Sequence, residues 1–206
     1  MKRNALFLLA LALNCYAPHA VAESETHDGF FLRLAPGLGL SSARSQESSD
    51  GGTLRFSGKS GTLQLLIGGK IGEDLLLHGA IWDWGILGPK ATYEVNGKEV
   101  SQVMDGDIEA QMFAIGAGVT YYFMPLNFFV TGNLGLADFR LREDRDKVAE
   151  TEGGLSLNVA VGKEWWLSDN WGLGGGVYLD FSSIGDEDEL RWLGFSAGLL
   201  LTATYN

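Results

Sequence analysis

The sequence predicts an all-β fold, an eight-stranded antiparallel transmembrane β-barrel in an up-and-down meander, and three observations predict it. Apolar residues alternate with small or polar ones at period two through eight segments, the signature of strands with one greasy face. The connections between segments are alternately short and long. Aromatic residues gather where segments end.

The N-terminal stretch precedes this pattern and is read apart from it. Lys2 and Arg3 are followed by an apolar run from Ala5 to Leu13 and by the small residues Ala20-Val21-Ala22, which is the layout of a secretory signal peptide. The run is about half of the roughly 20 residues a membrane helix needs. Cys15 invites a lipid-anchored reading, but Asn14 stands where that pattern wants a small residue. Cleavage after Ala22 is expected, leaving residues 23–206 as a single domain. Of 206 residues it removes 22 and leaves 184, and it takes away the only cysteine. It also takes Lys2 and Arg3, so 13 of the 15 basic residues remain against 26 acidic ones. A strongly acidic chain argues against nucleic acid as a partner, because phosphate neutralisation needs a basic face.

The strands follow in order. In the first, Phe30, Leu32, Leu34, Leu38 and Leu40 oppose Phe31, Arg33, Ala35, Gly37, Gly39 and Ser41. In the second, Leu63, Leu65, Ile67 and Ile71 oppose Gln64, Gly68 and Lys70. The third, Leu75 to Trp84, carries apolar residues on both faces and is read as a strand nonetheless. The fourth sets Phe113, Ile115, Ala117, Val119, Tyr121 and Phe123 against Ala114, Gly116, Gly118 and Thr120. The fifth sets Phe128, Val130, Leu134 and Leu136 against Thr131, Asn133, Gly135 and Ala137. In the sixth, Leu155, Leu157, Val159, Val161 and Trp165 alternate with Ser156, Asn158, Gly162 and Glu164. The seventh opposes Trp171, Leu173, Val177, Leu179 and Phe181 to Gly172, Gly174, Gly176 and Asp180. The eighth opposes Leu193, Phe195, Ala197, Leu199, Leu201, Ala203 and Tyr205 to Gly194, Ser196, Gly198, Thr202 and Thr204.

Each segment is about ten residues, the length a tilted strand needs to cross a bilayer. The Gly, Ala, Ser and Thr of the second face suit the crowded interior of a small barrel. Closure of an even number of strands leaves no unpaired edge in lipid. The competing reading is a soluble, lipocalin-like barrel with a greasy inside.

Short turns are expected at Gly72 to Asp74, Met124 to Asn127 and Leu167 to Asn170. Long loops are expected at Ser41 to Gly61, Gly85 to Ile108, Arg140 to Gly153 and Ser182 to Arg191. That asymmetry is the one outer-membrane barrels show between periplasmic turns and external loops. Asn96-Gly97 predicts a tight hairpin that extends the sheet beyond the membrane. Interfacial aromatics are expected at the periplasmic rim: Phe30, Tyr121, Tyr122, Phe123, Phe128, Phe129, Trp165, Trp166, Trp171 and Tyr205. At the outer rim they are Trp82, Trp84, Phe113, Phe139, Phe181 and Trp192.

From HDGFFLRLAPGLGL to GFSAGLLLTATYN, this architecture resembles the small eight-stranded outer-membrane barrels of Gram-negative bacteria. These include the transmembrane domain of outer-membrane protein A and its OmpX-like and OmpW-like relatives. The resemblance implies residence in the outer membrane, with the lipid bilayer and lipopolysaccharide as surroundings and the barrel-assembly machinery as a partner in biogenesis. Members commonly end on an aromatic residue, whereas here Tyr205 is penultimate and Asn206 follows.

Arg33, Lys70, Glu164 and Asp180 share inward parity, and with His78 they are expected to form a lumenal polar network, since a lone buried ion is too costly. The network is read as structural, and eight strands leave no room for an open aqueous pore. Gly194-Phe195-Ser196-Ala197-Gly198 matches a nucleophile pattern, but that motif needs a strand-to-helix turn and a later histidine. No histidine follows His78. Gly58-Lys59-Ser60 resembles the end of a phosphate loop with its preceding glycine misplaced. His27 and His78 alone, without cysteine, make a zinc site improbable, and Asp186-Glu187-Asp188-Glu189 reads as a solvated loop tip. No catalytic residues, metal or cofactor are expected. The function expected is a non-enzymatic contribution to envelope structure or surface contact. The alternatives are an OmpW-like carrier of small hydrophobic molecules and an outer-membrane lipid enzyme.

Overall fold

The computed structural model describes residues 29–45, 52–144, 146–185 and 191–206. The expected signal segment, His27 and the acidic run 186–189 lie outside the described residues. The strands are β1 (Phe30–Ser45), β2 (Gly52–Gly72), β3 (Leu75–Leu87), β4 (Lys90–Val95), β5 (Lys98–Val103), β6 (Ile108–Phe123), β7 (Phe128–Glu143), β8 (Asp146–Glu150), β9 (Gly153–Trp166), β10 (Trp171–Gly185) and β11 (Arg191–Tyr205). Eight of them close a ring in the order β1, β2, β3, β6, β7, β9, β10, β11, and every neighbouring pair is antiparallel. The fold is therefore an eight-stranded up-and-down barrel of the transmembrane type.

Its two surfaces are inverted relative to a water-soluble protein. Outward positions carry exposed Leu38 (74%), Leu199, Leu201 (71%), Leu136 and Leu155, while Arg33 (2%), Glu164 (1%), Asp180 and His78 are buried inside. The period-two pattern produces this directly, because successive side chains leave opposite faces of each strand.

At the end bearing the short turns, Asp74 (φ 56°) and Asn127 (φ 53°) supply left-handed conformations. The third turn closes through the Leu167 amide, which donates to the Trp171 carbonyl at 2.8 Å. Phe30, Tyr121, Phe123, Phe128, Trp165 and Trp171 are exposed on the outer surface here, and Tyr205 packs edge-on against Trp171 at 5.3 Å. Tyr122 and Phe129, expected in the same girdle, are instead fully buried in the lumen. Their neighbours in sequence take the outward parity.

The other end departs further from expectation. Pairing of β1 with β2 continues to Arg44↔Arg55, and β10 pairs with β11 as far as Gly185↔Arg191, so the described residues of the loops expected over 41–61 and 182–191 are strand. Above an apolar belt a sheet wall is wet on its outer face, and the alternation that reveals a strand is lost. Gly58-Lys59-Ser60 is accordingly part of β2. The Asn96-Gly97 turn (φ 50° and 72°) joins β4 to β5, the left-handed pair a type I′ hairpin requires. β4 pairs in turn with β2 from Gly52↔Val95 to Ser57↔Lys90. The second loop thus prolongs the barrel wall, as expected from its sequence. In the third loop β8 folds back on β7.

Trp82, Trp84 and Phe139 are not outer-rim anchors. All three point inward and are buried, because Trp82 and Trp84 share the parity of His78 on β3. Trp192 also faces the lumen and stacks on Phe139 at 5.3 Å. Phe181 does lie exposed on the outside.

Candidate functional site

The polar interior is the candidate site, and it is organised in three levels along the barrel axis. Nearest the short turns, Arg33 of β1 lies among side chains from four other strands. Its Nε donates to Thr204 Oγ1 at 3.1 Å and lies 3.2 Å from Glu164 Oε1; one terminal nitrogen donates to Thr131 Oγ1 at 3.1 Å and the other to the Tyr122 hydroxyl. Glu164 accepts from the Tyr122 and Thr204 hydroxyls, both at 2.7 Å. The guanidinium also stacks 4.0 Å from the Phe129 ring centre, a favourable use of its weakly hydrated plane. His78 joins through Thr120, whose hydroxyl lies 3.0 Å from His78 Nε2 and 2.8 Å from Thr131 Oγ1. Every charge at this level has a partner, as burial in a low-dielectric interior demands.

The middle level is a row of inward positions in register: Asn133 of β7, Asn158 of β9, Asp180 of β10 and Ser196 of β11. Asn133 donates to Asn158 Oδ1 at 3.2 Å. Asp180 Oδ2 accepts from Trp82 Nε1 at 2.8 Å and from Ser156 Oγ at 3.1 Å. The Ser41 hydroxyl lies 2.7 Å from those of Ser60 and Ser196, and Tyr178 adds a bond to Ser196 at 2.9 Å. Room for these large side chains comes from glycines: a Cβ at Gly135 would lie 2.7 Å from the Trp82 ring, and one at Gly174 would lie 2.7 Å from Glu164 Cγ.

The level nearest the long loops is aromatic. Phe56 and Phe139 stack on Trp192 with ring centres 5.9 and 5.3 Å apart, and Trp84 tilts against Phe139 at 6.2 Å. Outside the barrel at this end, a cleft of about 480 Å³ is lined by Leu87, Gly106, Asp107, Glu109, Arg142 and Asp144.

Of the five residues expected to share one network, the structure brings Arg33, Glu164 and, through two threonines, His78 together. Asp180 is buried in the middle level with partners of its own. Lys70 is exposed, beside a register shift between Lys70 and Gly72 that ends regular pairing of β2 with β3. Its inward parity is thus not carried into the lumen. Tyr122, Thr120, Thr131 and Thr204 complete the lower level; by sequence alone the three threonines belong on inward faces and Tyr122 in the girdle, and none of the four in the network. Ser196 of the nucleophile-like pentapeptide lies on a strand, is fully buried, and bonds Tyr178 and Ser41. His78 belongs to a different level.

No family model matches this chain, and no curated protein matches it. Among solved structures the chain is similar to Neisserial surface protein A, at 18% identity over 84% of this chain and 96% of that one, with a TM-score of 0.49. It is also similar to the outer membrane protein OprG from Pseudomonas aeruginosa, at 9% identity over 89% and 100% of the two chains and a TM-score of 0.49. A third similarity is to Ail, the attachment invasion locus protein of Yersinia pestis, at 13% identity over 85% and 99%, with a TM-score of 0.38. The barrel assignment itself rests on the closed ring of registered strands.

Proposed function

We propose that this protein is a non-enzymatic, non-conducting barrel of the bacterial outer membrane that contributes to envelope structure and presents its long-loop end for surface contact. The observation that carries the reading is the inversion of its surfaces: leucine, valine and aromatic side chains cover the outside, while the ion pair of Arg33 with Glu164, Asp180 and hydrogen-bonded hydroxyls and amides lie inside. Such a belt is stable against acyl chains and costly in water. The bilayer and lipopolysaccharide are then its surroundings. The end with short turns faces the periplasm, the prolonged wall of β2, β4 and β5 faces outward, and residues 1–22 serve as the export signal.

The filled lumen argues for a structural role over transport. Side chains occupy the interior at all three levels, and the inward residues of β3 that could have lined a greasy cavity, Trp82 and Trp84, are themselves its filling. A lipid-hydrolysing role gains no geometry from Ser196 and His78, which belong to separate levels. Two measurements test the proposal. Membrane fractions compared with and without boiling should give a heat-modifiable band that survives carbonate extraction, and the purified barrel in planar bilayers should give no conductance steps. A soluble protein of unchanged mobility overturns the membrane reading, and steady single-channel currents overturn the non-conducting one.

A further inference from the structure

The lipid-facing wall is interrupted near the short-turn end by a groove of about 400 Å³ whose lining includes Phe123, Phe128, Lys163, Gly175, Val161 and Val177. Its origin lies in two adjacent outward rows. The row nearer the turns reads Phe123, Phe128, Lys163, Gly175 across β6, β7, β9 and β10, and the row above it reads Tyr121, Val130, Val161, Val177. Three short valines and one missing side chain leave a trough in the belt at this height. Nothing in the backbone forbids a side chain at Gly175: a Cβ there would meet only the Leu200 carbonyl oxygen, at 3.5 Å, an ordinary contact. The gap is thus a feature of the surface and not a packing necessity.

Lys163 stands in the row that bounds this trough. Its ammonium lies 5.1 Å from the Phe128 ring centre and 5.5 Å from that of Trp165, held at the level of the aromatic girdle. Among the described residues no carboxylate forms a salt bridge with it. Glu164, its neighbour in sequence, points the opposite way and is committed to Arg33. A cation half-buried among aromatic rings at a bilayer interface calls for an anion from outside the protein.

We propose that this groove is a specific seat for one anionic phospholipid of the periplasmic leaflet, with the phosphate against Lys163 and an acyl chain laid over Gly175 along the valine row. The inference rests on the membrane reading and deepens it by naming a ligand class and its residues. Charge complementarity selects an anionic headgroup, and the apolar trough selects a chain.

The test uses the folded full barrel in detergent micelles, analysed by native mass spectrometry after addition of phosphatidylglycerol or phosphatidylcholine with identical acyl chains. Wild-type protein should retain one phosphatidylglycerol, preferred over phosphatidylcholine by about five-fold for one lysine near the surface. Lys163→Gln should abolish the preference and Lys163→Arg restore it. Gly175→Leu, which fills the trough but keeps the charge, should lower retention of both lipids. Lys59→Gln, on the outer surface towards the other end, should change nothing. Equal retention by wild type and Lys163→Gln, or retention unaffected by Gly175→Leu, overturns the seat while the protein remains heat-modifiable and membrane-inserted. Failure to insert into vesicles overturns the seat and the membrane reading together, and mobility without boiling separates the two failures.

Discussion

Arg33 of β1 and Glu164 of β9 meet inside the barrel with 3.2 Å between Nε and Oε1, although two other strands, β11 and β10, stand between theirs in the wall. Both side chains are almost wholly buried, so removing one charge strands the other. Glu164→Gln is expected to lower unfolding stability by about 3–5 kcal/mol, the usual cost of breaking a buried pair. The double replacement Arg33→Met with Glu164→Leu should recover a large part of that loss. Urea unfolding of the barrel in lipid vesicles measures both. Equal destabilisation by the single and double variants would mean that the pair's other hydrogen bonds, and not its charges, hold this level together.

Closure of the lumen is expected to be redundant, because side chains occupy it at three levels. Arg33→Ala with Glu164→Ala removes the ion pair from the lower level, but Trp82, Asp180 and Tyr178 still occupy the middle level and Phe56, Phe139, Trp84 and Trp192 the upper one. Planar-bilayer recordings should therefore stay silent for that variant, and equally for Trp84→Ala with Phe139→Ala, which thins the upper level alone. Currents from the first variant would show that the middle and aromatic levels together do not seal.

Glycines of the same strand should respond oppositely to a methyl group. Gly135 faces inward, where a Cβ would lie 2.7 Å from Trp82 and 2.5 Å from the Ile115 carbonyl oxygen, whereas Gly132 faces outward with nothing within 4 Å. Gly135→Ala is expected to cost about 1–3 kcal/mol through overpacking. Gly132→Ala should be neutral or slightly stabilising, and the two midpoints in urea provide the comparison.

Asp180 depends on the indole of Trp82, whose N–H donates at 2.8 Å. Trp82→Phe keeps a large ring but removes that donor, and a hydrogen bond to a charged group contributes about 1.5–3 kcal/mol. Adding Asp180→Asn should reduce the loss, since a neutral amide needs the donor less. A loss unchanged by the second substitution would assign the effect to ring packing.

The outer hairpin should be separable from barrel stability. Gly97 has φ 72°, a conformation that strains a β-branched residue. Gly97→Val should open the β4–β5 hairpin and speed proteolytic nicking near residues 96–97. The urea midpoint of the membrane-embedded part should stay within about 0.5 kcal/mol of wild type, as for surface changes away from buried features. A large fall in the midpoint would show that the hairpin supports the ring.

Alternation determined the strands and the barrel, and the faces of every segment but Leu75 to Trp84, because period two is a local property that a single bilayer-facing belt makes visible. Asn96-Gly97 likewise announced its turn through backbone chemistry alone. His78 already carried the inward parity of β3, and Trp82 and Trp84 share it. Reading those tryptophans by position near a strand end instead of by parity put them on the wrong face. Where the wall leaves the belt, as at Arg44↔Arg55, the outer face turns polar and the greasy-outside alternation falls silent, so β1 and β2 outran their expected ends. Which inward residues meet was decided only by tertiary structure. Arg33 reaches Glu164, and Asp180 reaches Trp82, because ring closure and strand stagger bring particular positions to one height across the lumen. Lys70 has the same parity yet stays exposed beside a register shift at the end of β2. Parity says which side of the wall a side chain takes, and only the closed ring fixes what lies opposite.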